Sequence, residues 1–135
     1  MTNFSKDEII EKLKPHLKIA GFNKLRTNWH KEKNDTILVF NVQGSQWGPE
    51  YYLNLGIYIK ALGTEVKPPV YHCHIQCRIE HEKYIDVNRI VADSLEWLGN
   101  HDNIQKLKRL FEANKLPLTT FLEANKFLKT VNIEE

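Results

Sequence analysis

The chain has 135 residues, 41% of them hydrophobic and 27% charged, which are values of a folded globular domain and exclude an extensively disordered chain. A net charge of +2 gives no case for a nucleic-acid partner or an anionic membrane. No apolar run approaches the roughly 20 residues of a membrane-spanning helix, and the opening MTNFSKDEIIEKLK lacks the apolar stretch of a secretory signal, so a single cytoplasmic domain over residues 1–135 is expected.

Ser5-Lys6-Asp7-Glu8 is a capping box that opens a first helix, with Ile9, Ile10, Leu13, Leu17 and Ala20 as its apolar stripe. Pro15 falls inside that stripe and predicts a kink or a split near Lys14. Gly21 suits the C-terminal cap, with Phe22 folding back onto the core. Lys24 to Lys31 reads as one strand, Ile37 to Gln43 as a second, Tyr51 to Lys60 as a third and Tyr71 to Glu80 as a fourth. The basic residues Lys24, Arg26, His30, Lys31 and Lys33 read as a solvated strand end and turn. The loop from Gly44 to Pro49 carries Trp47 between flexible glycines, and a second loop runs from Gly63 to Pro69. Asp86 caps a helix with Val87, Ile90, Val91, Leu95 and Leu98 inward; Asn100 ends it. Asp102 is expected to cap the next helix, and Thr120 with Glu123 to form a capping box on a last one after Pro117.

A run of strands followed by a run of helices predicts an α+β fold: an N-terminal helix, a four-stranded antiparallel meander and C-terminal helices packed on one sheet face. Strict alternation gives the sheet two unlike sides. Leu53, Leu55, Ile57, Cys73, Ile75 and Cys77 share a core wall. Asn41, Gln43, Tyr52, Asn54, Tyr58, His74, Gln76 and Arg78 face the other way, and with Trp47 they make the candidate binding surface. Gly56 leaves a dip, or room for close backbone approach, in the middle of that surface.

Several short motifs occur in a distinctive order: Gly21-Phe22, Trp29, Asn41-Val42-Gln43 with Ser45, Asn54-Leu55-Gly56-Ile57, Cys73-His74 and Arg78-Ile79. In these the chain resembles a family of small bacterial proteins catalogued as a domain of unknown function and numbered in the forty-three hundreds. The resemblance covers nearly the whole chain. It implies a compact α+β domain and transfers no catalytic residue. Some similar small bacterial domains act as immunity proteins for secreted toxins.

No enzyme signature is complete. His72, Cys73, His74, Cys77 and His81 lie within ten residues, but strand alternation sends the histidines and the cysteines to opposite faces, so no metal site or cofactor is expected. Cys73 and Cys77 on one strand would stand roughly 13 Å apart, beyond the roughly 7 Å limit for a disulfide. Ser45 lacks the strand-turn-helix setting of a nucleophile. The leading reading is a non-enzymatic module that binds a protein partner, of which a toxin-neutralising immunity protein is one concrete form. A small-molecule or nucleotide sensor with a pocket around Gly56 is the alternative. An enzyme using His74 and Arg78 comes third, and requires a carboxylate or second imidazole in hydrogen-bonding reach of His74.

Overall fold

The computed structural model describes residues 4–80 and 86–132. The first helix, α1 (Lys6–Ile19), opens on the expected capping box: Ser5 accepts from the Glu8 N–H, and Glu8 accepts from the Ser5 N–H. It is a single helix through Pro15, and Ile9, Leu13 and Leu17 are fully buried. Pro15 and Glu11 both face solvent, so the one intrahelical bond that proline removes leaves a carbonyl accessible to water. Gly21 takes φ 92°; the Phe22 N–H reaches the Leu17 carbonyl and the Gly21 N–H that of Lys18. This is the Schellman ending, and it drives Phe22 into the core.

The sheet is a meander of five antiparallel strands rather than four: β1 (Asn23–Leu25), β2 (Asn28–Glu32), β3 (Thr36–Gly44), β4 (Tyr51–Ile59) and β5 (Ile75–Ile79). The segment expected as one strand from Lys24 to Lys31 folds back on itself at Arg26-Thr27. Arg26 takes φ 58° there, and Leu25 pairs with Asn28. The last strand is shorter than expected, because Val70–His72 forms a 3-10 turn after Pro69 and pairing with β4 begins only at Ile75. Among the described residues β5 is an edge strand, and its outer side is covered. The Phe121 N–H bonds the His74 carbonyl, and the Thr119 hydroxyl bonds that of Gln76.

Among the described residues three further α-helices follow: α2 (Val87–Gly99), α3 (Ile104–Glu112) and α4 (Leu122–Thr130). Asp86 caps α2 as expected, through the Arg89 N–H. The cap of α3 is Asn103, one residue later than expected. Asp102 is drawn instead to Lys106 at 2.9 Å and Lys33 at 3.5 Å. No capping box opens α4, because the Thr120 hydroxyl donates to the Pro117 carbonyl and the helix begins one residue too late. These helices and α1 bury one face of the sheet. Leu38, Phe40, Leu53, Leu55, Ile57 and Ile75 pack there with Leu13, Leu17, Ile90, Leu98, Leu107 and Leu128. Trp29 meets Phe40, its directly paired residue on β3, edge to face at 5.9 Å.

The second face is not open along its whole length. The connection 60–74 folds back over half of it, and a second apolar cluster forms there from Ile37, Val39, Tyr58, Val70 and Cys73. Gly56 is the seat of this layer. A Cβ at that position would stand 2.7 Å from Cys73 Sγ and 3.1 Å from Val70 Cγ2. Cys73 thus lies on the opposite side of the sheet from Ile75 and Cys77, because it precedes the strand rather than alternating within it. His30 is buried as well, not solvated: its Nε2 donates to the Pro68 carbonyl at 2.7 Å, and its Nδ1 is buried without a partner among the described residues. Tyr58, expected on the exposed surface, is 2% accessible, and its hydroxyl accepts from the Glu65 N–H. His74, also expected there, is 4% accessible, and its Nδ1 accepts from the Ile59 N–H at 2.9 Å.

Both histidines are built to be neutral. Burial pushes His30 below the ordinary imidazole range; the bond to Pro68 opposes this and Lys67 adds to it. Burial likewise lowers His74, against the pull of Glu123 and Glu65. Folded-state values below the unfolded value of about 6.5 mean that protonation favours the unfolded chain. Their contribution is full above that pH and is lost as pH falls through it toward the folded values. The urea midpoint is therefore expected to drop between pH 7.5 and 5. The double variant His30→Gln, His74→Asn should show a smaller drop; His101, lowered in the same direction by burial, keeps the remainder. An unchanged pH dependence in that variant would refute the assignment. Gly56→Ala is expected to cost roughly 1–3 kcal/mol in urea unfolding, since Cys73 and Val70 must be displaced.

Candidate functional site

Four strands each place one residue in a straight row across the uncovered half of the second face. Asn28 pairs directly with Asn41, Asn41 with Asn54, and Asn54 with Arg78. Directly opposed residues on antiparallel strands share a face at about 4.5–5.5 Å, close enough for short amides to touch. The bonds run one way. Arg78 Nε donates to Asn54 Oδ1 at 3.1 Å, Asn54 Nδ2 to Asn41 Oδ1 at 2.9 Å, and Asn41 Nδ2 to Asn28 Oδ1 at 3.0 Å. Chemistry fixes this direction at both ends. A guanidinium only donates, so the Asn54 oxygen must face Arg78. Toward the other end, Asn41 Nδ2 also meets the Thr27 carbonyl at 3.4 Å, which only accepts.

Gln43 lies beside the row, and its Oε1 accepts from Asn54 at 3.1 Å and from Arg78 at 3.4 Å. The Arg78 guanidinium stacks over the Tyr52 ring, 4.2 Å from its centroid. Asn41 and Asn54 are buried at 7% and 8% accessibility, whereas Arg78 and Gln43 reach solvent. No carboxylate pairs with Arg78 among the described residues. At the Asn28 end the face opens into a cleft of about 440 Å³ between the sheet and Pro69 to Tyr71.

Of the residues expected at the site, Asn41, Gln43, Tyr52, Asn54 and Arg78 come together in this network. The others do not join it. Tyr58 lies under the connection 60–74, and His74 is the buried end of that connection. Gln76 donates its amide to the Cys73 carbonyl at 3.0 Å and closes the turn into β5. Trp47 stands 91% exposed in the loop after β3 and does not fold over the face. Asn28 is the member that sequence reasoning missed. Its signal was present: Asn28, Asn41 and Asn54 are spaced 13 residues apart, the spacing at which successive hairpins bring like residues into one row.

The chemistry of the histidines is limited by the same geometry. His74 Nδ1 is occupied as an acceptor, so Nε2 carries the proton, and it stands 3.9 Å from Glu123, beyond hydrogen-bonding reach. His72 is exposed and pairs with Glu65 at 2.9 Å. Among the described residues no three His, Cys, Asp or Glu side chains converge on a metal position, and His81 lies outside the described residues. Burial raises the thiols of both Cys73 and Cys77 above their ordinary range, so neither is a ready nucleophile. Asn54→Leu should destabilise the protein by about 1–3 kcal/mol, because it strands donors and acceptors on both sides of the row; urea unfolding measures it, and a neutral result would show the row to be dispensable for stability.

No curated protein and no solved structure matches this chain. One family model does, over residues 13–118, a span that holds every rung of the row and the connection that covers the rest of the face. The chain belongs to the family described as Domain of unknown function (DUF4304).

Proposed function

We propose that this protein is a non-enzymatic binding module that holds an acidic group of a protein partner on the uncovered half of its second sheet face, with Arg78 as the anchor. The observation that carries this reading is the state of Arg78. It is held by Asn54 and Gln43, stacked on Tyr52, and left without a carboxylate among the described residues. An arginine whose conformation is already fixed loses little freedom on binding, and its fork grips a carboxylate with two bonds. Tyr52 and Gln43 add flat area and hydrogen-bonding groups beside it. A secreted toxin with an acidic surface is one partner of this kind. Two unpaired thiols fit a reducing, cytoplasmic setting.

The alternatives have less support. The space over Gly56 that a sensor pocket would need is filled by Cys73 and Val70. The carboxylate nearest His74 is too distant for general acid–base work. The test is affinity capture from the native host with the wild-type chain, with Arg78→Ala and with Lys18→Ala on the far side as control. A partner held by wild type and control, and bound about tenfold more weakly or worse by Arg78→Ala, is the expected result. A partner held equally by all three, or none at all, overturns the reading.

A further inference from the structure

The row of amides ends in a donor. Asn28 Oδ1 is taken by Asn41, so Asn28 Nδ2 faces away from the row, with no partner among the described residues. Gln43 is oriented the same way: its oxygen is held by Asn54 and Arg78, which leaves its Nε2 without a partner among the described residues. Both side chains line the cleft of about 440 Å³, and Lys6 at the start of α1 lines it too. The Lys6 ammonium reaches the rim of the cleft from the α1 side of the sheet, over Gly44, where a Cβ would stand 3.2 Å from its Nζ. No carboxylate is among the lining residues. The opposite wall is Pro69, Val70 and Tyr71, which is largely apolar.

We infer that this cleft binds a small organic anion. Its carboxylate or phosphate oxygens accept from Asn28 and Gln43, the Lys6 ammonium at the rim attracts the charge, and its apolar body lies against Pro69, Val70 and Tyr71. The size is that of a small-molecule site. Amide and ammonium donors with no carboxylate among their neighbours in the cleft favour an anion over a neutral or cationic ligand, because donors are left unpaired when the ligand cannot accept. The cleft lies on the Asn28 side of the row and shares Gln43 with the Arg78 anchor, and the inference does not rest on a protein partner.

Titration of the labelled protein with benzoate, phenyl phosphate and neutral benzamide tests it, followed through the backbone amide signals of Gln43, Gly44 and Tyr71. Saturable shifts with benzoate, with phenyl phosphate or with both are expected, and which of them binds identifies the anionic group. Benzamide should bind at least tenfold more weakly. Asn28→Asp keeps an oxygen for Asn41 to donate to, so the row survives while the cleft gains a repelling charge; Lys6→Met removes the ammonium at the surface. Each should weaken the anion tenfold or more. Equal binding of benzamide, no shift with either anion up to about 10 mM, a dissociation constant too weak to matter for a small ligand, or wild-type affinity in both variants overturns the inference.

Discussion

The absence of a side chain at Gly56 decides the character of the whole second face. Cys73 and Val70 rest where a Cβ would be, and that contact lets the connection 60–74 lie down on the sheet. Everything else about this layer follows from it. Tyr58 is covered, His30 and His74 become its clasps, and Ile37 and Val39 gain an apolar partner on a side that would otherwise be wet. The sheet is a three-layer sandwich over half its length and a two-layer one over the rest.

The boundary between the two halves is drawn by the next row of the sheet, one step along the strands. His30, Val39, Gly56 and Gln76 form the covered row, and Asn28, Asn41, Asn54 and Arg78 the uncovered one. Nearly buried asparagines are costly unless fully bonded, and here each is held by its neighbour. Such a network stabilises little on balance, yet it discriminates sharply between registers. A slip of one residue in β3 or β4 would carry an asparagine into the helix-covered core and break three bonds at once. The row therefore fixes the pairing of the central strands as well as shaping the site.

Much of the fold was legible because local chemistry and long-range packing agree. The capping box at Ser5, the ending at Gly21, the cap at Asp86 and the alternation of β3 and β4 all act within a few residues, and packing reinforces them. The hairpin at Arg26-Thr27 was not legible. It has neither glycine nor asparagine at the turn, and Arg26 accepts a left-handed conformation that sequence gives no reason to expect. The burial of Tyr58 and His74 was hidden for another reason. A coil that folds back over a sheet has no period of its own, so nothing in 60–74 announces which strand face it will cover. Within the site, the residues on β3, β4 and β5 were found by alternation alone, whereas Asn28 depended on a register that the missed turn obscured.

The single direction of the hydrogen bonds in the row has an electrical consequence. Backbone dipoles largely cancel across an antiparallel sheet, but the side-chain amides of Asn54, Asn41 and Asn28 all point their oxygens toward Arg78 and their nitrogens away from it. Their moments add across the strands, much as peptide moments add along a helix. The sheet thus carries a transverse dipole made of side chains, with its positive end at Asn28. Because two of its three members are shielded from water, counterions screen it less than they would a surface charge. Because amides do not titrate, its sign and size persist across the pH range in which the histidines of the covered half change state.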